Sequence, residues 1–184
     1  MVDIFTKNHY SYWSGKTHLI NKEVAMNKNI VLMRHSIIWS GGGEQHVGEL
    51  TRDGFEKVHL VIEWLKTRSV GTCAIYASPD LDPRETAKVL STRLAHVKNE
   101  TCELLGGRHS QEATDEIGLF LETKDKDEGY DTIILVTHEP VVRQFLLYPV
   151  TYEWRIRFWD TKYIPYATAV LLKPDHTYEK FCPR

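Results

Sequence analysis

The chain has 184 residues, 42% of them apolar and 26% charged, with a formal net charge of −2. These are the proportions of a globular chain with one sizeable core. The slightly acidic balance excludes a general binder of nucleic acid or membrane surfaces, because affinity for phosphate groups in bulk requires a basic excess.

Residues 1–28 are expected to be an N-terminal extension, and 29–184 the domain itself. The extension is polar and aromatic, with Tyr10, Tyr12 and Trp13 available to pack on the domain. It lacks the apolar core of a secretory leader, and no stretch of the chain approaches the roughly 20 apolar residues that cross a bilayer. The three cysteines, Cys73, Cys102 and Cys182, form no Cys-x-x-Cys pair and no disulfide framework. A reducing, cytoplasmic setting is therefore expected.

Asn29–Arg34 (NIVLMR) is a continuous apolar run, read as a strand buried on both faces. Ser36–Gly48 is a loop around Gly41-Gly42-Gly43. Thr51–Arg68 is a predicted helix, with Thr51 as N-cap and Phe55, Val58, Val61, Ile62 and Leu65 at helical spacing. Thr72–Ala77 is a second buried strand, with Cys73 as a small core residue. Asp82-Pro83-Arg84-Glu85 opens a second helix, with Asp82 as cap and Pro83 at the first helical position, running to about His96. His109–Thr123 is predicted helical. Thr132–Thr137 is a third buried strand, followed by a helix from about Pro140 to Leu147. Ala167–Leu172 and Tyr178–Phe181 are two final strands around a Pro174-Asp175 turn. Alternation of this kind predicts an α/β fold, a three-layer α/β/α sandwich with a mostly parallel central sheet.

In open α/β sheets, ligands bind at the carboxyl ends of the strands. The first buried strand ends in Arg34-His35-Ser36, the second in Ser78-Pro79, and the third in His138-Glu139-Pro140. Two histidines and an arginine thus meet at one mouth. A neutral imidazole can attack phosphorus, and an arginine fork can neutralise the phosphoryl oxygens. Among the other histidines, His59 and His96 fall on predicted helices and are read as surface or boundary residues. Ser14-Gly15-Lys16-Thr17 imitates the end of a nucleotide-binding loop, but Tyr10 stands where that loop needs a glycine. Arg155 and Arg157 alternate in an extended segment, either as ligands for an acidic substrate or as a solvated edge. No spacing typical of a zinc site surrounds His35 or His138, and no metal or cofactor is expected.

These residues resemble the histidine phosphatase, or phosphoglycerate mutase-like, superfamily. Its signature is a strand followed by Arg-His-Gly; here it reads VLMRHS, with Ser36 in the glycine position. Leu50-Thr51-Arg52-Asp53-Gly54 matches the family's Leu-Thr-x-x-Gly, and VTHEP matches the strand ending in the second histidine. The resemblance spans roughly residues 29–181. It implies a phosphoglycerate mutase-like fold and hydrolysis of a phosphomonoester or phosphoprotein through a phosphohistidine on His35. Arg34 and His138 would hold the phosphoryl oxygens, with Ser36 beside them.

One departure stands out. The family's second phosphate-binding arginine lies four residues before Thr86, where this chain has Asp82. Arg84 is the nearest arginine, about 200° further around a helix. Either the loop is reshaped and Arg84 enters the pocket, or Asp82 only caps the helix and Arg84 lies on the surface. The resemblance also offers two proton donors, Glu103 in one branch and Glu139 in another, with Glu103 preferred. The alternative to a phosphatase is a catalytically impaired relative that binds phosphate or an interaction partner. A mutase ranks third, since a chain this short has few insertions to shield a phosphoenzyme from water. The expected partner is a phosphorylated small molecule or phosphoprotein, without nucleic acid or membrane.

Overall fold

The computed structural model describes residues 26–39, 48–106, 111–147 and 163–184. The expectations for Tyr10, Tyr12, Trp13, Ser14–Thr17, Gly41–Gly43, His109, Arg155 and Arg157 lie outside them. In chain order the elements are β1 (Asn29–Arg34), α1 (Arg52–Lys66), β2 (Cys73–Ala77), α2 (Leu81–Ser91), β3 (His96–Thr101), a 3₁₀ turn (Glu103–Leu105), α3 (Gln111–Asp125), β4 (Thr132–Thr137), α4 (Glu139–Leu147), β5 (Ala169–Leu172) and β6 (Tyr178–Phe181).

The six strands form one sheet in the order β3-β2-β4-β1-β5-β6. The β3–β2, β2–β4 and β4–β1 pairs are parallel, and β5 and β6 add antiparallel strands beyond β1. Side chains alternate across a strand, so the apolar runs feed two cores. Ile30, Leu32, Ile133 and Leu135 face Ile117 and Leu121 of α3 and Val142 and Phe145 of α4. Val31, Met33, Ile134 and Val136 face Val58, Val61, Ile62 and Leu65 of α1 and Leu90 of α2. This is the three-layer sandwich the alternation predicted. Among the described residues, no helix is long and apolar enough to cross a membrane.

Thr51 caps α1 as expected, accepting the Gly54 N–H at 2.9 Å. Phe55, assigned to the apolar face of α1, is instead 43% exposed and stacks on His59. The second helix departs more. It begins at Leu81 with Asp80 as N-cap, and it ends at Ser91. Pro83 sits in its third position, which still needs no intrahelical donor. His96 belongs not to this helix but to β3. That strand, HVKNET, lies at a sheet edge and is exposed along most of its length. It therefore carries neither apolar run nor alternation, only the charges that discourage an edge from further pairing. Cys73 is buried as expected, which pushes its thiol up to about 12.

The entry to β1 is held by one buried carboxylate. Asp125, the last residue of α3, accepts the Asn27 N–H at 2.9 and 3.1 Å, the Asn27 side-chain amide at 2.8 Å and the Lys28 N–H at 2.9 Å. Met26, just before, is buried in the α3/α4 core. Removing this acceptor strands several donors at once. Asp125→Ala is expected to lower the unfolding free energy by about 2–3 kcal/mol, measured by urea denaturation, with Asp125→Asn recovering part of the loss.

Candidate active site

Register brings the site together. Arg34 pairs with Thr137 across β1–β4, and Ala77 pairs with Val136 across β2–β4. The next residues, His35, Ser78 and His138, therefore emerge side by side. The His35 N–H bonds the Thr137 carbonyl at 2.8 Å, its carbonyl accepts the Ala167 N–H at 3.1 Å, and the Ser78 N–H bonds the Val136 carbonyl at 2.9 Å. The His35 and His138 rings meet edge to face at 5.0 Å.

His35 is only 7% exposed. Its Nδ1 stands 2.8 Å from the Ser36 carbonyl and 3.4 Å from Asp82 Oδ2. Both are acceptors, so Nδ1 carries the proton and Nε2 the lone pair. Burial is the largest influence on the ring and lowers its pKa below the ordinary 6.5; the Ser36 carbonyl and Asp82 oppose it, and His138 and Arg34 add to it. The imidazole is thus neutral at pH 7, the form a nucleophile requires.

Arg34 is also 7% exposed. Its guanidinium donates to the Ile164 carbonyl and lies over two tyrosine rings, 3.8 Å from the Tyr166 centroid and 4.8 Å from that of Tyr163. Tyr166 also meets the His35 ring at 5.5 Å. Within this sandwich Arg34 Nε is buried without a hydrogen-bond partner.

Ser36 is fully buried and holds the loop rather than facing the site. Its hydroxyl donates to the Gly54 carbonyl at 2.8 Å and its N–H to the Thr86 hydroxyl at 3.0 Å. The tight approach explains the glycine: a Cβ at Gly54 would fall 2.3 Å from the Ile37 carbonyl oxygen.

The start of α2 separates Asp82 from Arg84. Asp82, in the first turn, turns its carboxylate to His35, while Arg84 is exposed. The two side chains diverge as two positions on a formed helix must. Asp80 completes the group. Its Oδ2 lies 2.7 Å from His138 Nε2 and accepts the Ser78 hydroxyl at 3.1 Å. A carboxylate only accepts, so His138 Nε2 is a donor here. As N-cap, Asp80 makes no side-chain bond to its own helix; His138 takes that carboxylate instead.

The two expected proton donors make other contacts or face solvent. Glu139 opens α4 and is bonded by Arg143 Nε at 2.7 Å. Glu103 is exposed on the 3₁₀ turn after β3. Asp80, Tyr163 and Tyr166 were not singled out from the sequence. Asp80 lay two residues beyond a strand end already marked, whereas the tyrosines precede a distant strand and carry no local signal. Among the described residues, no group of three or more His, Cys, Asp or Glu is arranged to hold a metal ion.

No family model matches the chain, and no curated protein matches it by sequence. Solved structures match its fold. The protein histidine phosphatase SixA, in complex with tungstate, superposes with a TM-score of 0.59 at 16% identity, over 84% of this chain and 94% of that one. A protein proposed as a SixA phosphohistidine phosphatase from Agrobacterium tumefaciens gives 0.60 at 12% identity, over 85% and 99%. Phosphoglycerate mutase from Plasmodium falciparum gives 0.50 at 18% identity, over 84% and 89%. The chain has a phosphoglycerate mutase-like fold, shared with these structures.

Two titration results follow from the cluster. His35 is expected to titrate below 6.5, and Asp82→Asn to move it lower still, since Asp82 favours the protonated ring; ¹⁵N-resolved imidazole shifts against pH measure both. The sign for stability follows. The unfolded chain takes up this proton more readily, so the contribution of His35 is present above about pH 6.5 and is lost as pH falls from 6.5 through the lower folded-state value.

Proposed function

We propose that the chain is a phosphatase that takes a phosphoryl group from a phosphorylated small molecule or protein onto His35 and passes it to water. One observation carries this: a buried, neutral His35 whose Nδ1 is held by the Ser36 carbonyl and Asp82, leaving Nε2 as the attacking atom beside Arg34. The shared fold with SixA, a protein histidine phosphatase, and with a phosphoglycerate mutase supports it.

In this mechanism Nε2 of His35 attacks phosphorus in line with the leaving group. Arg34, steadied by Tyr166 and the Ile164 carbonyl, supplies its positive charge beside His35 to the phosphoryl oxygens. His138, oriented by Asp80 and Ser78, lies against the reacting ring. Water then cleaves the phospho-His35 bond. Ser36 supports the loop, and Arg84 has no part. Phosphoryl transfer needs little covalent help from a protein beyond placement and charge, which these residues supply.

A second reading is favoured by a specific feature. Asp80 and Asp82 place two carboxylates where a phosphate dianion would approach. On this reading the site binds a ligand without turning it over.

Stoichiometric labelling of the enzyme by a phosphoryl donor, acid-labile and base-stable, is expected from the phosphatase. His35→Ala is expected to abolish both labelling and phosphate release. Arg34→Ala is expected to lower kcat by about 10²–10³-fold, and vanadate to compete with substrate. Full turnover in His35→Ala would overturn the mechanism, and a ligand bound for many turnover times without phosphate release would favour the second reading.

A further inference from the structure

The charges around His35 are unsuited to a simple phosphate ester. Arg34 is the basic side chain beside the ring. Against it stand two carboxylates: Asp82 Oδ2 at 3.4 Å from His35 Nδ1, and Asp80 Oδ2 at 2.7 Å from His138 Nε2. Among the described residues, neither carboxylate pairs with a lysine or arginine. Each is engaged through one oxygen, by a histidine alone or by a histidine and Ser78. Among the described residues, a dianion bound here meets one fixed positive charge and two fixed negative ones.

The unmet groups describe a different ligand. Arg34 is more than nine-tenths buried, and its Nε lacks a hydrogen-bond partner, so one side of the site asks for an anion. Asp80 and Asp82 each keep a second oxygen for a cation, and the Asp80 side chain, 57% exposed, stands open to solvent. The complement is a phosphoryl group directly joined to a positively charged nitrogen, reachable from outside.

Resting on the phosphatase function above, we infer that the substrate is a phosphoramidate of a strongly basic side chain, phosphoarginine or phospholysine in a protein. Arg34 takes the phosphoryl oxygens, and the carboxylates take the N–H groups of the guanidinium or ammonium, for which a carboxylate is the natural acceptor. That neither Glu103 nor Glu139 bonds a member of the cluster among the described residues then has a reason. Glu139 is tied to Arg143, and Glu103 is exposed on its turn. An alkoxide leaving group needs a proton from such an acid, but a nitrogen that already bears a positive charge does not.

The atoms balance. Nε2 of neutral His35 forms a bond to phosphorus as the P–N bond of the substrate breaks. The electron pair stays with the departing nitrogen, which leaves as a neutral amine or guanidine and is reprotonated by solvent. Water then attacks phospho-His35, the P–Nε2 pair returns to the ring, and orthophosphate leaves with both protons of the water.

The test is phosphate release by the full chain from one peptide sequence carrying phosphoarginine, phospholysine, phosphohistidine or phosphoserine. Wild type is expected to show kcat/KM for phosphoarginine or phospholysine at least about tenfold above that for phosphoserine and phosphohistidine. Because Asp82 also holds His35, Asp82→Asn is expected to slow every substrate, but to cut kcat/KM for phosphoarginine and phospholysine at least about tenfold further than for phosphoserine. If Asp82→Asn fails to fold, judged by its thermal transition, Asp80→Asn makes the same comparison. The inference is overturned if phosphoserine or phosphohistidine is the faster substrate, or if the carboxylate variant slows all four alike, since Asp82 would then only position His35. Failure of the phosphatase function itself looks different: wild type releases phosphate from none of the four, or His35→Ala matches wild type on all.

Discussion

Arg34 and Thr137 face each other across the β1–β4 pair, and that register decides everything above it. A slip of one residue would turn every side chain of β1 to the opposite face, carrying Ile30 and Leu32 out of one core and Val31 and Met33 out of the other. The same slip would separate His35 from His138. Core packing and site assembly are therefore one constraint. NIVLMR and TIILVT are buried on both faces in this register, and the same pairing brings the two imidazoles together.

Above that edge, the site is shaped more by charge than by cavity. A buried arginine needs compensation, and here it receives aromatic faces and a backbone carbonyl rather than a carboxylate. The two available carboxylates go to the histidines instead. At an effective dielectric of about 20, unit charges 4 Å apart interact by roughly 4 kcal/mol, so the one positive and two negative groups among the described residues bear strongly on any charged ligand placed between them. Asp82 has two effects in one position. It holds His35 in the tautomer that frees Nε2, and it disfavours a second negative charge nearby. A neutral or cationic group at that place would reverse the second effect and lose the first.

The apolar strands β1, β2 and β4 were legible because burial on both faces leaves an unbroken hydrophobic run. The helices α1, α3 and α4 were legible to within a few residues. The edge strand β3 was not, because its stability comes from pairing with β2 and leaves no pattern in HVKNET. At the site, strand-end logic found Arg34, His35 and His138. It placed Ser36 in the pocket, whereas the close approach of Gly54 draws that hydroxyl under the loop. The start of α2 was misjudged by two residues because Asp80 and Asp82 are both plausible caps. What separates them is a tertiary demand, the histidine each carboxylate serves. Tyr163 and Tyr166 reach Arg34 from some 130 positions along the chain, a distance over which no local signal operates.

The position of β1 has a consequence for synthesis. It is the first strand of the described fold, yet both its neighbours are made late: Asn29 lies 103 positions before its contact Thr132, and β5 is later still. During translation NIVLMR therefore waits without a partner while α1, β2, α2 and β3 emerge. Contacts of such long range are slow to close, and an unpaired apolar strand is a template for wrong association. The charged residues that precede and follow it, Lys28 and Arg34, flank the run in the manner of gatekeepers.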